Sequence, residues 1–208
     1  MAPLVPYAVA GILWWQGESD YANRSYLPQI EAMVEAWRTL LACPGEKPAD
    51  IPFYFVQMQR SGTYMSPEVR DEQFQSYFSI PNCGMAVLID LDVELHPNNK
   101  YDAGRRLALW ALARQYGKDV IYSGPLYKSR TVEGNKVIVE FTHTHGGLFI
   151  GSKNRLDAPK PSPDAKLANI EITADGRNWR PAQSQIVGEK LDIPVYEHAY
   201  EQTLRETS

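Results

Sequence analysis

The chain has 208 residues, of which 44% are hydrophobic and 22% charged, with a formal net charge of −4. That length suits one ordinary domain, or one domain and part of a second, and the composition is that of a globular protein. The negative balance leaves no basic footprint for nucleic acid, and charged residues interrupt the longer apolar runs, so no membrane span is expected.

Met1 is followed by Ala-Pro-Leu-Val-Pro, with no basic stretch before the first apolar run, and that run leads straight into Gln16 and Glu18. This is not the pattern of a cleavable signal peptide, and the location of the chain is left open. Residues 8–15 read as a buried strand. Tyr26, Leu27, Ile30, Met33, Val34, Trp37, Leu40 and Leu41 then recur at helical spacing, with Pro28 in the first turn. Residues 43–50 form a loop, and 52–58 (PFYFVQM) a second buried strand. Ser66-Pro67 reads as an N-cap followed by proline, opening a helix over roughly 67–79. Residues 84–90 (GMAVLID) are a third strand. A helix runs from about Asn99 to Tyr116, and Gly117 is its stop.

The order β-α-β-α-β-α predicts a parallel sheet flanked by helices, an α/β class in which ligands sit beyond the carboxyl ends of the strands. Two polar clusters, 16–20 and 90–96, fall at such ends. After Gly117 the texture changes. Lys136 to Thr142 alternates apolar and polar residues, and residues 168–193 read as short strands joined by turns such as Asp175-Gly176. Both patterns predict antiparallel β structure. The expected division is an α/β part over 1–125, a β-rich part over 126–194 and a polar tail over 195–208. The two cysteines, Cys43 and Cys83, form neither a metal pattern nor a disulfide framework and are expected to be buried free thiols. No metal and no cofactor are implied.

"DLDVELHPNNK", residues 90–100, places three carboxylates and a histidine just after a strand. One reading is a loop histidine with solvated acidic neighbours. The other is a general base, His96, oriented by Glu94 or Asp92, an arrangement that fixes the imidazole tautomer and stabilises the imidazolium formed in acyl transfer. Likewise, Gln16-Gly17-Glu18 reads either as a polar strand-to-helix turn or as an oxyanion site. In the second case Gln16 donates from its carboxamide, Gly17 permits close approach of a ligand, and Glu18 holds the amide. A glycosidase pair of Glu18 and Asp20 is disfavoured, because two residues apart at a strand end they cannot easily flank a sugar ring.

"APLVPYAVAGILWWQGESDY", "VRDEQF" (69–74) and "GMAVLIDLDVELHPNNKYDAGRRLALWALARQYG" (84–117) resemble the SGNH hydrolase superfamily. The closest likeness is to the branch of sialate O-acetylesterases and related carbohydrate acetylesterases. The likeness is close over about 2–125 and weaker to about 190. It implies a flavodoxin-like parallel sheet, in part, and removal of acetyl groups from sugar hydroxyls by Ser-His-acid acyl transfer. It implies His96 as catalytic base and Gln16 in the oxyanion hole. For the acid it implies Glu94 first, then Asp92, then Asp90, since Val93 stands where many members carry an aspartate. The substrate implied is an O-acetylated carbohydrate, either sialic acid or a plant-polysaccharide sugar, and full-length relatives are often periplasmic or secreted.

The family's nucleophile lies in a Gly-Gln-Ser-Asn block that does not occur here. The resemblance therefore implies the C-terminal half of an esterase, starting at an internal methionine, with the serine supplied by a complementing N-terminal half. Ser19 and Ser61 match no nucleophile motif. The competing reading is a catalytically inactive remnant that binds carbohydrate or a partner through Trp14, Trp15, Trp110 and Trp179.

Overall fold

The structure is a computed structural model that describes residues 5, 7–20, 25–59, 67–91, 98–167 and 170–194. The chain divides into two compact units, Met1–Ser123 and Gly124–Ser208.

In the first unit, β1 (Ile12–Trp14), β2 (Phe53–Gln57) and β3 (Cys83–Val87) form a parallel sheet in the order β1-β2-β3. Phe53 stands opposite Ile12 on one side and Cys83 on the other, so the three carboxyl ends lie along one edge of the sheet. The connecting helices are α1 (Tyr26–Leu41) and α2 (Pro67–Ser79), and α3 (Lys100–Arg114) follows β3.

Every residue of β2 is buried, as a central strand flanked by helices requires. β1 departs from the expected buried strand over 8–15. Only three residues join the ladder, and Leu13 is 59% exposed. Among the described strands β1 has one neighbour, so nothing there covers its second side. The buried residues of α1 are Tyr26, Ile30, Val34, Arg38 and Leu41, a stripe at helical spacing. Leu40, counted in that stripe from the sequence, falls just off it and is 48% exposed. Arg38 is buried because its guanidinium donates to the carbonyls of Pro81 (2.9 Å) and Asn82 (3.0 Å), which ties the end of α1 to the turn before β3. Burial draws its pKa down.

Gly84 decides how α3 packs. A Cβ there would stand 2.5 Å from the Trp110 ring and 2.7 Å from Tyr54. Its absence lets Trp110 lie on the sheet, stacked near Tyr54, with the indole N–H donated to the Met85 carbonyl at 3.0 Å. α3 ends as expected, with Gly117 at φ 62°. The cysteine expectation holds only in part. Cys83 is mostly covered and burial pushes its thiol up to about 12, whereas Cys43 is exposed in the loop after α1.

The second unit is antiparallel. The hairpin of β4 (Leu126–Glu133) and β5 (Lys136–Thr142) turns at Gly134, with a bulge between Tyr127 and Ser129. Two short ladders come next, β6 (Gly151–Ser152) with β7 (Lys160–Pro161) and β8 (Glu171–Ile172) with β9 (Arg180–Pro181). β10 (Gln185–Val187) and β11 (Lys190–Pro194) complete a four-stranded sheet in the order β10-β11-β5-β4. The whole is a mixed α/β protein: a parallel three-stranded sheet flanked by helices, followed by antiparallel sheets. Residues 195–208 and the N-cap read at Ser66 lie outside the described residues.

Candidate active site

Of the site expected from sequence, Gln16, Gly17 and Glu18 fall on the carboxyl edge of the parallel sheet. Beyond the last ladder residue of β1 come Trp15, Gln16 and Gly17, then a turn of 3-10 helix over Glu18–Asp20. The Gln16 amide Nε2 donates to the Asp20 carboxylate at 2.7 Å. The carboxylate on that amide is thus Asp20, four residues on, in place of Glu18. The turn that closes from the Asp20 N–H to the Gly17 carbonyl (3.1 Å) brings Asp20 back over Gln16. A primary amide carries two N–H groups, and this bond uses one of them.

The backbone carbonyl of Gln16 accepts from two side chains, the Tyr26 hydroxyl and Gln73 Nε2, each at 3.4 Å. Burial pushes the Tyr26 phenol up to about 12. Hydrogen bonding to Gln73 and Trp14 opposes that rise, and the charges of Asp20 and Glu18 add to it. The phenol therefore stays a donor through neutral pH. Gly17 is buried at φ 151°, and a Cβ there would lie 2.8 Å from Gln73 Nε2 and 3.1 Å from Met58 Cγ. Glycine is needed at 17 because neighbouring side chains fill the space.

α2 reaches the end of β2 in the same way. Gln73 Oε1 accepts from the Met58 N–H at 2.9 Å. Arg70 donates to the Met58 carbonyl and, at 3.0 Å, to Gln57 Oε1, while Gln57 Nε2 donates to the Arg70 carbonyl at 2.9 Å. Glu72 accepts from the Leu27 N–H at 2.9 Å, at the start of α1. A cavity of about 280 Å³ opens beside Gln16, lined by Trp14, Asp20, Tyr26 and Ile30 among others. Trp14 meets Trp37 edge to face at 5.2 Å.

At the end of β3, Asp90 makes a bidentate ion pair with Arg106, both bonds at 2.6 Å, and Arg106 also donates to the Val87 carbonyl. Burial alone would lower the Arg106 pKa. Its bonds to Asp90 and the charges of Asp90 and Asp102 outweigh that and raise it. Asp90, the last of the three candidate acids, is thereby committed to a cation 16 positions away. The segment with His96, Glu94 and Asp92 lies outside the described residues. Asn99 caps α3 by accepting from the Asp102 N–H at 3.1 Å.

Sequence reading thus located Gln16, Gly17 and Glu18 at a strand end, and the structure adds Asp20, Tyr26, Arg70, Gln73 and Arg106 around the sheet edge. One signal for Gln73 was present. Val69, Gln73 and Ser76 recur at helical spacing and are the buried face of α2, so a glutamine stands where an apolar residue is the norm. Of the four tryptophans weighed as sugar platforms, Trp110 belongs to the core at 3% exposure and Trp179 is open at 57%. Among the described residues, no cluster of histidine, cysteine and carboxylate side chains could hold a metal, and no helix is long and apolar enough to cross a membrane.

Comparison with known proteins gives concordant matches. Residues 2–110 match the family described as carbohydrate esterase, sialic acid-specific acetylesterase. The chain is 31% identical over 162 residues to a sialate O-acetylesterase of Rattus norvegicus, an alignment covering 68% of the chain and 30% of that protein. To the sialate O-acetylesterase of Homo sapiens it is 28% identical over 207 residues, 89% of the chain and 38% of the relative. A crystal structure of a carbohydrate acetylesterase from Xanthomonas citri superposes with a TM-score of 0.78 at 27% identity, covering 94% of this chain and 44% of the other. The chain therefore spans less than half the length of the relatives it matches.

Proposed function

Because the chain belongs to the sialic acid-specific acetylesterase family of carbohydrate esterases, we propose that it forms part of an enzyme that removes acetyl groups from sugar hydroxyls. In this reading His96 is the general base, with Glu94, then Asp92, as the carboxylate that orients it. Gln16 donates its second amide N–H to the oxyanion, and the nucleophilic serine comes from residues outside these 208. The observation that carries the reading is that the family match spans both Gln16 and His96. Two features support it. β1 and β3 run parallel, so the segments that continue from them leave the same edge of the sheet. The Gln16 amide is also held in place by a carboxylate, which leaves one N–H to meet charge that develops only in the transition state.

In acyl transfer the serine oxygen attacks the acetyl carbonyl while His96 takes its proton. Gln16 stabilises the tetrahedral oxyanion, and His96 returns the proton to the departing sugar oxygen. Water then repeats the sequence on the acetyl-enzyme. The test is hydrolysis of p-nitrophenyl acetate and of O-acetylated sialic acid by the chain alone and with an added polypeptide bearing the Gly-Gln-Ser-Asn block. The chain alone should stay at background, and the mixture should be active with a phosphonate trapped on the added serine. A phosphonate-labelled serine within the 208 residues, with robust turnover, would overturn the assignment of the nucleophile. A mixture that binds acetylated sugar without turnover would favour the binding-module reading.

A further inference from the structure

We propose that Gln73 is a positioning residue that sets the Gln16 amide, by clamping the end of β1 to the end of β2. The proposal rests on the reading of Gln16 as an oxyanion donor, and it concerns a residue on a different element. Both Gln16 and Met58 lie past the last ladder residues of their strands, Trp14 and Gln57. Backbone groups there have left the strand ladder and must find other partners. Gln73, fully buried, serves both strands with one carboxamide. Its oxygen accepts the Met58 N–H at 2.9 Å, and its nitrogen donates to the Gln16 carbonyl at 3.4 Å.

No other side chain can replace it without loss. Glutamate lacks the donor when ionised, methionine lacks both groups, and asparagine is one methylene short. The neighbours are arranged around this amide. Gly17 has no side chain where a Cβ would strike Gln73 Nε2. Tyr26 brings a second donor to the same Gln16 carbonyl, and Arg70 holds the Met58 carbonyl. The sequence element "VRDEQF" is therefore a helical brace. Val69 supplies the apolar anchor, Arg70 and Gln73 hold the two faces of the Met58 residue, and Glu72 holds the first turn of α1.

The test uses isotope-labelled 208-residue chain and reads the Gln16 side-chain amide, the Gly17 amide and the exchange rate of the Met58 amide by NMR. Gln73→Met and Gln73→Asn should shift the Gln16 and Gly17 resonances and speed Met58 exchange about 10-fold, the size of one lost hydrogen bond. Gln75→Met, on the exposed side of the same helix, should change neither. Unmoved Gln16 resonances in a folded Gln73 variant would overturn the proposal. If both variants fail to fold, the unsubstituted chain decides: a Met58 amide that exchanges like an unprotected one overturns it, and a protected one supports it.

In the complemented esterase, Gln73→Asn should lower kcat roughly 10²-fold, the cost of a small misplacement of a catalytic group, with KM nearly unchanged. An unchanged kcat beside shifted Gln16 resonances would also overturn the positioning role. No turnover by the unsubstituted complemented protein would count against the esterase reading and leave the NMR result standing.

Discussion

In the first unit Phe53, Phe55 and Met58 are fully buried, whereas in the second unit the best-covered apolar side chain described, Leu126, is 4% exposed, and Ile138, Leu191 and Ile193 reach 8–9%. The first unit closes a core between strands and helices. The second relies on cross-strand pairs, with Glu140 between Lys128 and Lys190, Lys136 on Asp192, and a turn organised by Asp175. Parallel strands must be covered on both faces, while antiparallel hairpins tolerate solvent on one. The lesson concerns where exact placement is possible. The polar groups at the strand ends of the first unit are held by fully buried partners such as Gln73, and the second unit offers its side chains no comparable shell among the described residues.

The sharpest contrast is between histidines. In the complemented esterase, His96→Ala should reduce kcat/KM by on the order of 10⁶-fold, as loss of a triad base does. Alanine at His143 or His145 in the second unit should leave it unchanged. Glu94→Gln should also be severe, and if it is neutral while Asp92→Asn is not, the acid is Asp92. Steady-state kinetics on acetylated substrate checks all of these, and an equal loss at His143 would break the division of roles between units.

Packing gives the next largest difference. Phe55→Ala should cost about 3–5 kcal/mol and Leu191→Ala about 2 kcal/mol, because the cavity term grows with how completely the site is enclosed. Urea unfolding followed by tryptophan fluorescence for the first unit and by backbone circular dichroism for the second measures both, and equal costs would erase the contrast. Thiol chemistry sharpens it further. At pH 8 a disulfide reagent should label the exposed Cys43 quickly and leave Cys83 unlabelled, since its thiol is pushed up to about 12 mainly by burial. Cys83 should become reactive only at urea concentrations that open the first unit, after the hairpins of the second have lost their structure.

The smallest effect is expected at the β8–β9 turn. The Asp175 carboxylate accepts from the N–H groups of Asn178 and Arg177 and from the side chains of Asn178 and Thr173, which holds its pKa well below the usual carboxylate range. A depressed folded pKa means the stabilisation is complete above the unfolded value of about 4 and is lost as pH falls through the folded value. The Arg177 and Asn178 amide resonances should therefore hold steady to about pH 4 and move below it. Asp175→Asn should abolish that titration.

Much of this protein was legible in one dimension. Apolar spacing marked α1, the Ser66-Pro67 start marked α2 and the Gly117 stop marked α3, each almost to its observed ends, and the alternation from Lys136 to Thr142 is β5 itself. The abrupt change from Trp15 to Gln16 placed a polar cluster at a strand end. These features are local, because a helix or strand face repeats every few residues and its burial is written in that period. Only the tertiary structure decided the partners. Asp20 takes the Gln16 amide because a single 3-10 turn folds it back. Asp90 meets Arg106 because α3 returns along the strand that precedes Asp90, and Gln73 meets Gln16 across 57 positions because α2 lies against the ends of two strands. β1 read as buried from its composition, yet Leu13 is exposed, since hydrophobicity states what a residue prefers and what packs on that face of the sheet determines what covers it. A polar side chain can satisfy its hydrogen bonds with any complementary group within reach, so its partner is set by three-dimensional proximity, which no period in the sequence encodes.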